Sequence, residues 1–146
     1  MPGEVKKMTS LLKISEAASL GLHTASFLAA RGKETATTHE IATGLRASEA
    51  HLAKVLQRLV KAGLVESLRG PKGGFRLARP GNRMTLLNVY EAIEGRFRPE
   101  ACLLGRYACG GKCILGDMVN LVNRLVSETL AGTKVSEAAA DFGMAR

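Results

Sequence analysis

The chain has 146 residues, 46% of them hydrophobic, and carries 21 lysines and arginines against 13 acidic residues for a net charge of +8. That length holds one domain, or one domain plus a dimerisation element, with a sizeable core. Four phenylalanines, two tyrosines and no tryptophan make that core aliphatic. No apolar run approaches the roughly 18 residues of a membrane span, and the N-terminus lacks a signal-peptide core, so the expectation is a cytoplasmic protein with no membrane partner.

Residues 1–9 read as an irregular start. From Ile14 the apolar set Ile14, Ala18, Leu22, Ala25, Leu28 and Ala29 follows helical spacing and predicts one buried stripe, ended near Arg31-Gly32. Thr37-Thr38-His39-Glu40 then offers a capping box, in which the Thr37 hydroxyl accepts from the third amide and Glu40 reaches back. A short helix through Ile41 and Leu45 follows. Ser48 caps a third helix with Leu52, Val55, Leu56 and Leu59 facing inward and His51 on the exposed side, and Ala62-Gly63 ends it.

Two short helices joined by Gly44-Leu45-Arg46-Ala47 have the arrangement of a helix-turn-helix, whose second helix enters the major groove of DNA. Spacing alone is a weak sign of this, but the next segment adds to it. Val65 to Arg69 alternates as a strand does, Gly70-Pro71-Lys72-Gly73-Gly74 is turn-forming, and Phe75 to Arg79 alternates again. The prediction is a hairpin with a basic tip, a wing able to reach the minor groove or the phosphates.

Charge is concentrated in the same region. Between Arg46 and Arg83 nine basic residues face only Glu49 and Glu66, so nine minus two leaves +7 of the total +8. A field of that sign and density attracts a polyanion, nucleic acid before an anionic membrane surface. A merely solubilising basic face is the competing explanation, and the adjacent helix-turn-helix and hairpin weaken it.

Thr85 caps a fourth helix with Leu86, Leu87, Val89, Tyr90 and Ile93, which Gly95 ends. Every cysteine in the chain lies in the next segment, at Cys102, Cys109 and Cys113, with a Gly-Gly pair between the last two. Clustered thiols in a reducing compartment read as metal ligands or redox groups rather than disulfides. Thiolates select zinc, copper(I) or iron-sulfur clusters. Three cannot close a four-ligand site, so a fourth group, a redox role without metal, or chance clustering all stay open. After Gly116, Met118, Val119, Leu121, Val122, Leu125, Val126 and Leu130 cover more of a helix than one core-facing stripe requires, which predicts a dimer interface. Thr133 to Ala140 allows one more short helix before a frayed tail.

The fold class expected is therefore mainly α with a small β-hairpin wing: a winged helix-turn-helix plus a long C-terminal dimerisation helix. The division is 1–98 for the DNA-binding domain, 99–116 for the cysteine loop and sensor, and 117–146 for the dimerisation helix and tail. No nucleophile-base-acid set, phosphate-binding glycine loop or His-Glu zinc motif points to an enzyme.

From about Lys13 to Leu130 the chain resembles the Rrf-type winged-helix regulators, the family that includes IscR, NsrR and CymR. Four stretches carry the resemblance: Lys13-Ile14-Ser15, Leu59 to Val65, Arg69-Gly70-Pro71-Lys72-Gly73-Gly74-Phe75-Arg76-Leu77-Ala78-Arg79-Pro80, and Thr85 to Gly95. The wing segment is the most specific of them. The resemblance implies a homodimeric regulator, many relatives being repressors of a palindromic promoter operator in double-stranded DNA. It also implies a [2Fe-2S] or [4Fe-4S] iron-sulfur cluster on Cys102, Cys109 and Cys113, absent from an apo form. The chain departs from relatives at the fourth ligand: Ser19 stands where some place a carboxylate, and Gly116 where others place histidine, leaving Glu16, His23 and Asp117 as substitutes. Ala53-Lys54 likewise replaces an acidic and amide pair, so the operator sequence does not carry over.

The candidate DNA-contacting set is Thr38, Ser48, Glu49, Ala50, His51, Lys54 and Arg58 from the helices, and Arg69, Pro71, Lys72 and Arg76 from the wing. Redox state, nitric oxide or iron-sulfur status is the expected signal. Two alternatives remain: a clusterless thiol switch with Arg106 and Lys112 near the sulfurs, and a zinc-stabilised regulator acting through a protein partner.

Overall fold

The computed structural model describes residues 14–99, 102–104 and 108–144. The irregular start expected over residues 1–9, Arg106 and the last two residues lie outside that set. Among the described residues the order is α1 (Glu16–Ala30), α2 (Thr38–Leu45), α3 (Glu49–Lys61), β1 (Val65–Leu68), β2 (Gly74–Leu77), a 3-10 turn at Gly81–Arg83, α4 (Leu86–Glu94), α5 (Met118–Gly132) and α6 (Val135–Met144).

Capping explains where the helices begin. Ser15, Thr37, Ser48 and Thr85 each sit in extended backbone and accept from an amide in the first turn. At Thr37 and Thr85 the box is complete, with Glu40 and Asn88 reaching back to the cap amide. Each such cap contributes about 1 kcal/mol. Ser15 also donates to the Glu94 carboxylate, tying the start of α1 to the end of α4.

α1 is the central helix, in contact with α2, α3, α4, α6 and β2. The predicted stripe is buried at Ala18, Ala25 and Leu28, and Gly21, Thr24 and Ser26 are buried beside it because neighbours cover α1 on several sides. A Cβ on Gly21 would lie 2.9 Å from Ile93 Cγ1, so a small residue there lets α4 approach. Leu52, Val55, Leu56 and Leu59 of α3 face inward as their spacing predicts, joining Leu28, Ile41, Met84, Val89 and Val135 in one core. Each fully buried aliphatic chain of this size contributes about 1.5–3 kcal/mol.

The hairpin is antiparallel, pairing Val65 with Leu77, Glu66 with Arg76, Ser67 with Phe75 and Leu68 with Gly74. Its strands are shorter than the alternation predicts. Pairing stops at Leu68 and Gly74, so Arg69 belongs to the turn, which the Gly73 N–H closes on Gly70 O at 2.8 Å. Beyond Leu77 only Ala78 continues, donating to Leu64 O, before Pro80, which has no amide hydrogen. A third short segment flanks the wing: Ala36 exchanges both backbone hydrogen bonds with Phe75, at 2.9 and 2.8 Å.

The C-terminal segment is more than a tail. α6 runs to Met144, past the expected end at Ala140, and packs on α1 with Phe142 edge-on to Phe27 at 6.3 Å. Val135 is fully buried, and its amide donates to Met84 O at 2.8 Å, while Leu86 N–H donates to Thr133 O. Apolar spacing at Val135, Ala139 and Phe142 carries this docking, which the short sequence stretch alone did not distinguish from fraying.

Candidate nucleic-acid interface and cysteine loop

α2 and α3 form a helix-turn-helix whose corner is made by a residue that chemistry disfavours there. Arg46 caps α2 in the left-handed region, with φ 54° and ψ 43°, its amide bonded to Ala42 O and Thr43 O. Glycine would adopt that shape without strain, yet the nearby Gly44 serves packing: a Cβ there would lie 2.6 Å from the Phe27 ring. The two helices are further linked by His39 Nδ1, 2.5 Å from the Glu49 carboxylate. Glu40 is held below the usual carboxylate pKa of 4.5, first by the Thr37 amide, which outweighs the opposing desolvation, and then by the Arg31 charge.

On α3, Ser48 accepts from the His51 amide at 3.3 Å, so its hydroxyl is engaged as a cap. Ser48, Glu49 and Ala50 are exposed at the helix start, Thr38 is half-buried in the first turn of α2, and His51 is half-buried rather than exposed. Lys54 is exposed, and with Ala50, Gln57 and Lys61 it forms an outward stripe at helical spacing. Gln57 is absent from the sequence-derived candidates. Counting one turn on from Lys54 would have found it, and a glutamine amide can pair with an adenine edge. Arg58 is exposed, and its Nη1 donates to Ile93 O at 3.2 Å at the end of α4.

In the wing, Arg69, Pro71 and Lys72 are exposed at the tip. The tip is anchored from below: Thr35 donates to Lys72 O at 2.8 Å. Arg76 is paired across the strands with Glu66 at 2.5 Å, which makes it a hairpin brace. Both acidic residues of the basic region have a partner within the protomer, Glu49 in a contact with the His39 ring and Glu66 in an ion pair with Arg76. Lys54, Lys61, Arg69 and Lys72 keep exposed charge.

The cysteine loop leaves the core through Phe97, whose ring lies edge-on to Tyr90 at 5.6 Å and whose amide donates to Glu91. Burial, then Glu94 and Glu91, raises the Tyr90 hydroxyl pKa. All three cysteines are thiols, half-buried at Cys102 and Cys109 and exposed at Cys113. Cys113 Sγ accepts from the Leu115 amide at 3.4 Å in the turn that enters α5. As soft donors the thiols suit an iron-sulfur cluster. In position they do not assemble one: among the described residues no three His, Cys, Asp or Glu side chains group as metal ligands. The proposed fourth ligands are engaged elsewhere or stand apart. Asp117 accepts from the Asn120 side chain, His23 Nδ1 contacts Ser19 O at 2.7 Å, and Glu16 is exposed in the first turn of α1.

Past the loop, α5 contacts α4 and buries Val119 and Leu130, while Met118, Leu121 and Leu125 stay exposed, the last at 66%. Ile114 is 87% exposed just before it. This apolar strip fits the expectation of a partner for α5. Among the described residues no helix is long and apolar enough to cross a membrane.

Residues 14–141 match the family model Rrf2, described as an iron-dependent transcriptional regulator. The chain is 50% identical over 60 residues to YwgB of Bacillus subtilis (strain 168), covering 41% of this chain and 38% of YwgB. It is 32% identical over 96 residues to the HTH-type transcriptional regulator NsrR of Geobacillus kaustophilus (strain HTA426), covering 65% of this chain and 63% of NsrR. In both cases less than two thirds of the relative is spanned. Among solved structures it resembles CymR (YrzC), the global cysteine regulator of B. subtilis, with TM-score 0.75 and 27% identity over 89% of this chain and 98% of that one. By this match the chain belongs to the Rrf2 family of transcriptional regulators, which are not enzymes.

Proposed function

We propose that this chain is one protomer of a homodimeric repressor that binds a palindromic operator in double-stranded DNA. The observation that carries the reading is that the acidic residues of this region have partners within the protomer while its cations on α3 and the wing stand exposed. Glu49 and Glu66 are each satisfied within the protomer, while Lys54 and Lys61 on α3 and Arg69 and Lys72 on the wing project exposed. Such a surface releases counterions from a phosphate backbone. α3 offers Ala50, Lys54 and Gln57 to base edges, with Ser48 fixing where the helix starts. Pro71 shapes the wing tip, and α5 supplies the two-fold contact that paired half-sites require.

The cysteine loop is the sensing element of this reading. Cys102, Cys109 and Cys113 would hold an iron-sulfur cluster, with Ser19, Glu16, His23 or Asp117 as the completing group. When bound, such a cluster supplies lability to oxidant, nitric oxide and iron shortage. The loop runs between α4 and α5, so ordering it alters how α5 is set on the DNA-binding helices. A second reading, a thiol switch without a cluster, is favoured by the exposed Cys113 and by thiols that are not gathered as ligands.

Fluorescence anisotropy against promoter fragments across a salt series tests the DNA reading. Arg69→Ala and Lys72→Ala should each weaken binding and, with two copies in the dimer, lower the salt slope by about 1.8. No binding by either metal-loaded or stripped protein overturns it. Anaerobic purification separates the sensing modes: visible charge-transfer absorption with iron and sulfide, lost in Cys109→Ala, supports the cluster, and colourless iron-free protein supports the switch.

A further inference from the structure

Behind the wing lies an open cavity of about 560 Å³ walled by the end of α1, by both wing strands and by the segment from Ala78 to Gly81. Its volume is within the roughly 300–1,000 Å³ of small-molecule sites. Ala29 from α1 and Leu77, Ala78 and Pro80 from β2 and its extension make apolar walls. Lys33, Arg76 and Arg79 bring three cations to it, against Glu66 alone.

Those cations are not equivalent. Arg76 is held by Glu66 at 2.5 Å, and the two charges cancel. Lys33 and Arg79 engage no acidic side chain among the described residues. The C-terminal pole of α1 contributes about −0.5 of a charge nearby, which one free cation already exceeds. The cavity therefore presents net positive charge beside apolar walls. DNA phosphates, by contrast, are met by protruding side chains and helix N-termini rather than by an apolar concavity.

From this charge and shape we infer that the cavity is a binding site for a small organic carboxylate with an apolar body, its carboxylate on Arg79 and Lys33 and its body on Ala29, Leu77 and Pro80. Arginine pairs with carboxylates through two parallel hydrogen bonds, which suits an acid better than a point-charge site would. An occupant would join β2 to the end of α1, two elements already in contact beside the wing. The site is separate from the cysteine loop and does not depend on the DNA reading.

The test uses the full chain, labelled for amide NMR, titrated with 4-phenylbutyrate, with its neutral amide, and with inorganic phosphate. The expected result is saturation by the acid in roughly the 1–10 mM range or tighter, the affinity typical of a ligand of this size. Shifts should centre on Gly32, Lys33, Leu77, Ala78 and Gly81. Lys33→Ala/Arg79→Ala should weaken the acid about ten-fold or more. Ala29→Leu, which keeps every charge and fills the apolar wall, should weaken it as well. No saturable shift, an equal response to the amide, or equal binding of phosphate that Ala29→Leu leaves untouched would each overturn the site. So would a double variant that binds the acid unchanged.

Discussion

Gly74 is the position where a single methyl group should detach the wing. Its φ is +140°, a region that residues with a side chain rarely adopt, and occupying it costs about 1–3 kcal/mol. A Cβ there would lie 2.7 Å from Ala36 O and 2.8 Å from Ala36 C, and 3.2 Å from Thr37 N. All three are backbone atoms, so no rotamer relieves the overlap. Relief requires Ala36 and Phe75 to part, giving up two hydrogen bonds of about 1 kcal/mol each. Gly74→Ala should therefore lose about 3–5 kcal/mol, a fall in Tm of roughly 9–15 °C for a chain of this size. Gly70→Ala is the control: its φ is +103°, but nothing lies within 4 Å of the added methyl, so it bears the backbone strain alone. Thermal melts with amide exchange at Ala36 and Phe75 make the comparison. If the two variants melt together and both amides stay protected in Gly74→Ala, the anchoring argument is wrong.

Three further outcomes follow from the geometry. Leu121→Glu/Leu125→Glu alters side chains 53% and 66% exposed in the protomer, so it should keep the fold and, at about 1.5–3 kcal/mol per leucine removed from an interface, weaken self-association about 100-fold or more; sedimentation velocity that finds an unchanged dimer refutes α5 as the contact. Arg58→Ala should lower stability by about 1 kcal/mol through the lost bond to Ile93 O and leave the salt slope of DNA binding unchanged, whereas Lys54→Ala, removing one cation from each protomer of the dimer, should lower that slope by about 1.8. Because Glu40 has a folded pKa below 4.5, its contribution is fully present above that value and lost as pH falls through the depressed one. Melts from neutral pH to about pH 3 should show the Glu40→Gln variant less stable than the parent at the upper end and the gap closing at the lower; a constant gap rejects the linkage.

Local rules carried most of the fold. The box at Thr37–Glu40, the caps at Ser48 and Thr85 and the inward set of α3 are decided by residues a turn apart, and the sequence displays them directly. What it did not display depends on distant partners. Arg58 and Arg76 look like any other basic residues in a cationic stretch until α4 brings Ile93 O to one and the register brings Glu66 to the other. Arg46 in a left-handed corner runs against propensity, and only the Phe27 ring explains why the neighbouring glycine is at 44. The cysteine spacing signals donor chemistry, but how the sulfurs converge depends on loop conformation and on groups beyond the segment.

The return of α6 to α1 changes what the loop and α5 are in mechanical terms. They form an excursion with both feet planted in one body, at Phe97 beside Tyr90 and at Thr133–Val135 beside Met84–Leu86. A pull on the excursion therefore arrives at α4 from its two ends at once. Cutting the chain after Gly132 would not release a loose end: it would remove Val135 from the core, uncover one side of α1, and leave α5 packed on α4 without the Thr133–Val135 anchor.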